Sequence, residues 1–141
     1  MTPETLVRAF IETVWNRGDL EAIPRFIAPE YAVEGAAVGP GWVRDNVAGV
    51  RAGFPDLAMT VEQVVTDGRI VAVLVRVTGT HTGPWKGFAP TGRAVAYREA
   101  AFWTVDPGRG LLVAGDFVAD TLAVRVQLGL AAPDLWRGKA G

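Results

Sequence analysis

Apolar positions recur at helical spacing at the start of the chain, where Leu6, Val7, Phe10, Ile11, Val14 and Trp15 make one stripe. Thr2-Pro3-Glu4 ahead of them offers a hydroxyl cap, a proline at the first helical position and a first-turn acid. The pattern predicts a helix ended by Asn16-Arg17-Gly18. A shorter helix capped by Asp19 should follow, carrying Leu20, Ile23, Phe26 and Ile27, its regularity limited by Pro24. Residues 31–34 read as a short strand and the glycine-rich stretch 35–41 as a loop. A third helix is expected over 42–53, with Val43, Val47, Val50 and Phe54 inward, before Pro55-Asp56 breaks the pattern.

Strand-like runs dominate the rest. Residues 57–66 read as a strand running into Asp67-Gly68, a hairpin signal. Residues 69–80 are valine-rich and apolar on both faces, as in a central strand. A Gly/Pro loop over 81–93 leads into a strand over 94–105. Asp106-Pro107-Gly108-Arg109-Gly110 turns the chain into a last strand over 111–120. Residues 121–130 extend that strand or form a terminal helix, and 131–141 are expected as a loosely held tail. Nothing repeats and no linker divides the chain, so one domain is expected over 1–141. Helices first and hairpin-linked strands after predict an α+β fold, helices packed on one face of a mostly antiparallel sheet. A strongly curved sheet of this kind leaves an apolar pocket between its concave face and the helices, where small molecules bind.

Composition narrows the chemistry. Half of the 141 residues are hydrophobic, enough for a sizeable core. Fourteen Lys and Arg against fifteen Asp and Glu give a net charge of −1 and no electrostatic footprint for nucleic acid or anionic lipid. There is no cysteine and one histidine, His81, which excludes disulfides, cysteine-ligated zinc and multi-histidine metal sites. No apolar run approaches the ~20 residues of a membrane span. Met1-Thr2-Pro3-Glu4 lacks the basic start and apolar core of a secretion signal, so the chain reads as soluble and cytoplasmic. Chemistry without a cofactor would rest on carboxylates, hydroxyls and one imidazole.

Glu99 is one such carboxylate. It shares a strand face with Tyr97 and Trp103, while Arg98 points the other way. If that face is concave, Glu99 is an acid/base candidate; if not, it is a buried partner for an arginine. Arg76, on the neighbouring strand, is the obvious charge partner for one of the candidate acids and a candidate substrate-binding residue. His81, at a strand end, is either a proton carrier or a structural residue. Trp42, Trp85, Phe88, Trp103 and Phe117 are candidate pocket walls for an apolar or aromatic substrate, or ordinary core.

Several segments resemble SnoaL-like polyketide cyclases: Val14-Trp15-Asn16-Arg17-Gly18-Asp19, Ile27-Ala28-Pro29-Glu30-Tyr31 and Gly79-Thr80-His81-Thr82-Gly83. Gly87-Phe88-Ala89-Pro90-Thr91-Gly92-Arg93 is the most specific of the set, and Gln127-Leu128-Gly129 closes it. The resemblance runs from about Leu6 to Leu130. It implies the NTF2-like fold, a cone of curved sheet wrapped by N-terminal helices, usually as a homodimer. It also implies a cyclase of lyase or isomerase type in antibiotic or other natural-product biosynthesis. Such a cyclase closes a ring in a polyketide by an intramolecular aldol reaction, with neither cofactor nor metal.

The family's acid/base aspartate precedes an aromatic residue on the last strand, which points to Asp116 before Phe117; an unshifted reading favours Asp120. The family's polar or histidine position on the preceding strand falls near Ala100 or Ala101. Asn46 and Trp15 match positions that contact and shape the substrate. On a regular strand Asp116 and Asp120 share a face roughly 13 Å apart, at about 3.3 Å per residue. One would then do chemistry and the other serve structure, as Asp120 would by capping the segment from Thr121. Two further readings stay open. One is an epoxide-opening hydrolase or cyclase, which requires Arg76 or Arg98 bonded to an acid inside the pocket. The other is a pericyclase-like or non-catalytic binding protein.

Overall fold

The computed structural model describes residues 1–131, so the tail expected over 131–141 lies, beyond its first residue, outside the described residues. The Thr2 hydroxyl accepts the Thr5 N–H at 3.1 Å and Pro3 opens α1 (Pro3–Phe10). The predicted helix then changes form. Ile11–Asn16 is a π-helical turn, and the Arg17 N–H reaches back five residues to the Glu12 carbonyl at 3.0 Å. Asp19 accepts the Ala22 N–H at 3.2 Å and caps a 3-10 turn, Leu20–Arg25, with Pro24 inside it.

The strand expected over 31–34 begins earlier. β1 (Ile27–Val33) takes in Ile27, expected on the preceding helix, because Ile27 and Ala28 are buried in the sheet beside the last strand. A two-residue strand, β2 (Ala36–Ala37), returns along it inside the expected loop, and α2 (Gly39–Gly53) starts at Gly39 with Pro40 in its first turn. β3 (Ala58–Asp67) and β4 (Ile70–Thr80) are joined by Gly68-Arg69, one residue later than the hairpin signal, with Gly68 at φ +58°. β5 (Ala94–Asp106) and β6 (Leu111–Ala119) follow. The chain then turns into a helix, α3 (Thr121–Gln127), capped by Asp120, which accepts the Ala123 N–H at 3.0 Å.

The strand order is β2-β1-β6-β5-β4-β3, antiparallel except for the β1–β6 pair, so the fold is the expected α+β class with a mostly antiparallel sheet. Register shifts between Val61 and Gln63 and between Thr104 and Val105 mark irregularities of the kind that bend and twist strands. On the concave face Val71, Val73, Val75 and Val77 of β4 and Val95, Ala101 and Trp103 of β5 are buried. Leu6, Val7 and Phe10 of α1, Ile11 and Val14 of the π-turn, and Val43 and Val47 of α2 complete this core. β4 is apolar on both faces as expected, yet only one face is buried throughout. On the other side of the sheet Phe102 and Val118 stay exposed. No helix among the described residues is long and apolar enough to cross a membrane.

One close approach pins β1 to the sheet. The buried Tyr31 hydroxyl accepts the Trp103 Nε1–H at 3.3 Å, and Gly115 lies opposite Trp103 in register. A Cβ at Gly115 would stand 2.1 Å from the Tyr31 Oη and 2.9 Å from Trp103. Gly115→Ala is therefore expected to cost about 1–3 kcal/mol by overpacking. Thermal melting checks this, and an unchanged Tm would show that the aromatic pair yields freely.

Candidate active site

The concave face and the helices enclose a chamber of about 150 Å³ lined by Trp15, Asn46, Val50, Met59, Trp85, Lys86, Tyr97 and Glu99. A narrow inner recess of about 20 Å³ continues from it between Ile11, Val75, Ala101, Trp103 and Phe117, sharing Trp15, Asn46, Met59 and Glu99. A mouth of about 170 Å³ opens outward past Asp45, Asn46, Gly49, Val50, Trp85 and Lys86. A larger cleft of about 360 Å³ lies elsewhere, between the start of α1 and the β5–β6 turn. No carboxylate or imidazole side chain among the described residues lines it, so the smaller chamber is the one equipped for proton transfer.

Period-2 alternation along β5 puts Tyr97, Glu99, Ala101 and Trp103 on the concave face, which settles the orientation left open by the sequence. Among the described residues no side-chain hydrogen bond or ion pair reaches the Glu99 carboxyl, and burial pushes its pKa up to about 7. A carboxyl poised there exchanges protons readily in either direction near neutral pH. Glu99 in turn helps burial hold the Tyr97 phenol at about 12, so Tyr97 stays protonated and able to donate. Asn46, from the middle of α2, lines recess, chamber and mouth alike and brings a carboxamide to the same space as Glu99. Trp15 sits on the π-turn, while Trp103 and Phe117 stand edge to face with centroids 5.7 Å apart at the inner end.

The other sequence-predicted residues lie away from the chamber. Asp116 is exposed on the outer face, because Phe117, its neighbour on β6, points inward and adjacent strand residues face opposite ways. Its Oδ1 accepts the Glu34 N–H at 3.0 Å and ties the β1–β2 turn to β6. Asp120 is the exposed cap of α3 and does not share a strand face with Asp116, since β6 has ended at Ala119. His81 is fully buried but behind the chamber wall. Its ring stacks on Phe54 with centroids 5.3 Å apart, and its Nδ1 accepts the Thr91 N–H at 3.2 Å. That bond assigns the ring proton to Nε2, which has no partner among the described residues.

Arg76 is exposed on the outer face, opposite Arg98 in register, and is no partner for Glu99. Arg98 forks onto Glu62 at 3.1 Å outside the pocket, so the arginine–acid pair that epoxide opening requires is not assembled inside it. Phe88 packs on Trp85 rather than lining the chamber, and Trp42 stacks on Phe117 from outside the recess. Met59 and Lys86 line the chamber without having been singled out. Alternation on β3 could have flagged Met59, whereas nothing local marks Lys86. No group of three or more His, Cys, Asp and Glu side chains among the described residues could hold a metal ion.

Residues 5–130 match the family described as SnoaL-like polyketide cyclase. Solved structures share the fold over nearly the whole chain. A candidate polyketide cyclase from Acidithiobacillus ferrooxidans is 28% identical with a TM-score of 0.82, over 92% of this chain and 96% of that one. IdmH from Streptomyces antibioticus, a candidate polyketide cyclase, is 26% identical with a TM-score of 0.80, over 92% of this chain and 99% of its own. AclR from Streptomyces galilaeus, a candidate hydroxylase, is 26% identical with a TM-score of 0.80, over 92% of this chain and 82% of its own. No curated protein matches the chain.

The raised Glu99 carboxyl has a stability signature. Its folded pKa, about 7, lies above the ordinary 4.5, so the folded state holds the proton more tightly. Stability is then lost as pH rises from about 4.5 through 7, by up to about 3 kcal/mol at 1.36 kcal/mol per unit. Glu99→Gln removes that loss. Thermal melts should show the variant more stable than the parent at pH 8, by about 1–3 kcal/mol, with the gap closing toward pH 4.5. A gap independent of pH would contradict the burial of the charge.

Proposed function

The chain belongs to the SnoaL-like polyketide cyclase family, and we propose that its chamber closes a ring in a polyketide-type carbonyl substrate by acid/base chemistry at Glu99. The observation that carries this reading is the convergence of one desolvated carboxyl and one carboxamide, Glu99 and Asn46, in an otherwise mostly apolar and aromatic space.

The ionised Glu99 takes a proton from the carbon beside a substrate carbonyl. The Asn46 amide donates a hydrogen bond to the oxygen on which the enolate charge develops, where a donor in a water-poor site is most effective. The enolate carbon attacks a second carbonyl carbon of the same molecule, forming the new C–C bond. Protonated Glu99 then returns its proton to the resulting alkoxide. Proton and electrons balance within one substrate, so the step needs no external oxidant or reductant and no cofactor. The aromatic walls restrict a flexible chain to folded conformers in which the reacting carbons meet, and such positioning supplies several kcal/mol of the barrier. A homodimer in solution and a place in natural-product biosynthesis accompany the proposal, following the family's usual pattern.

A neutral bicyclic ketone tests the proton transfer without knowledge of the natural substrate. The protein should accelerate exchange of the carbon-bound protons of 2-tetralone in D2O, followed by NMR. The rate should rise as Glu99 ionises through about pH 7. Glu99→Gln should lower that rate at least about 100-fold, within the usual range for losing a general base. Asp116→Asn, on the outer face, should leave it within about twofold, as expected of a group remote from the reacting atoms. Full exchange in Glu99→Gln would sink this assignment. Loss of exchange in Asp116→Asn with its fold intact would return the role to the last strand.

A further inference from the structure

Lys86 is the one cation among the described residues that line the chamber and its mouth. It sits in the turn Trp85-Lys86-Gly87-Phe88, where the Trp85 N–H donates to the Phe88 carbonyl at 3.2 Å and the Phe88 N–H returns to Trp85 at 2.8 Å. Both central residues have positive φ, +47° at Lys86 and +79° at Gly87. Hairpin turns with this backbone favour Asn, Asp or Gly at the first central position, and a lysine there carries strain.

A second turn of this kind offers a comparison. Glu34 and Gly35, at φ +51° and +78°, join β1 to β2, and there the Asp116 carboxylate accepts the Glu34 N–H and fixes the strained residue. No side-chain acceptor does this for Lys86 among the described residues. Strain of this kind is kept where the side chain it presents has a use. The Lys86 Nζ lies 5.2 Å from the centroid of the Trp85 ring, which holds the cation at the rim of an aromatic wall. Asp45 lines the same mouth, yet no ion pair within 4.0 Å joins it to Lys86 among the described residues.

We infer that Lys86 is a specificity-determining residue that receives a carboxylate at the chamber mouth, so that the substrate is an aromatic or polycyclic acid entering ring-first. Ring-first entry follows from the distribution of groups. The inner recess is walled by Ile11, Val75, Ala101, Trp103 and Phe117, and among the described residues no cation lines it, so a carboxylate there would lose water without a charged partner. An anion is therefore excluded from the inner end and matched at the outer one. This inference rests on the chamber being the substrate site. That reading is judged by proton exchange of a neutral ketone, whereas this one is judged by the affinity gap between an acid and its amide.

Calorimetric titration of the protein with 2-naphthoate and with 2-naphthamide, at pH 6 and low salt, measures that gap. The parent should bind the acid at least about tenfold more tightly than the amide, and raising NaCl to 0.5 M should narrow the gap, since rim charges are screened. Lys86→Met and Lys86→Asn should each abolish the preference while binding the amide within about twofold of the parent, a range set by removing charge and not packing. Asn suits the positive φ, so the second variant keeps the turn intact even if the first disturbs it. Failure of the parent to bind the acid more tightly than the amide overturns the inference. So does a preference that survives in both variants.

Discussion

Arg51 anchors the arrangement on which the site depends. From α2 its guanidinium donates to the Trp15 carbonyl at 2.7 Å, the Asn16 carbonyl at 3.2 Å and the Pro55 carbonyl at 3.3 Å. The last carbonyls of a helical segment lack intrahelical partners, and one cation satisfies them here through charge-assisted bonds. Gly18 gives it room, because a Cβ there would stand 2.7 Å from the Arg51 Nε. Beside it the Asn16 side chain acts as an extra strand residue, donating to the Met59 carbonyl at 3.0 Å and accepting the Met59 N–H at 2.7 Å. First helix, second helix and β3 meet at this knot, and Trp15, Asn46 and Met59 reach the chamber from its three sides.

Among the described residues Glu99 is left without a polar partner in the space beside this knot. Helices held this close over a curved sheet line the inner end mostly with apolar side chains, and Arg76 on β4 and Arg98 on β5 point outward. Arg98 finds Glu62 on the solvent side and Arg76 stays exposed. Desolvation thus acts on Glu99 unopposed, which separates its proton affinity from that of the surface carboxylates. Glu30, Asp56 and Asp106, each tied by hydrogen bonds, are all held below the ordinary range.

Local signals made much of the fold legible. Capping by Thr2, Asp19 and Asp120, the hairpin glycine near 68 and the alternation of β5 each rest on short-range chemistry. The early start of β1 was hidden because Ile27 also continues a helical stripe, and only its long-range pairing to β6 decides between the two. The site was legible in part. Trp15, Asn46, Trp85, Trp103, Phe117 and Glu99 do converge, but sequence alone left open which face of β5 was concave. Asp116 and Phe117 were both offered to the pocket, although neighbours on one regular strand cannot share a face. Lys86 escaped notice because its placement depends on a turn whose backbone a lysine does not advertise.

The π-helical turn shifts the meaning of position along the first helix. One extra residue per turn displaces everything after it by about 100° around the axis relative to a regular α-helix. A helical wheel drawn from Pro3 therefore misplaces Trp15 and Asn16, the two residues that bring the segment to the chamber and to β3. Any comparison with a chain whose first helix stays regular needs a one-residue gap somewhere in Ile11–Asn16 to bring equivalent side chains into equivalent places. Deleting one residue between Ile11 and Trp15 would make the segment a regular helix with the tryptophan still facing the chamber. Forcing the turn into regular helix at its present length would instead rotate the tryptophan about 100° out of the wall, a change in cavity shape made without altering the chemical identity of any lining side chain.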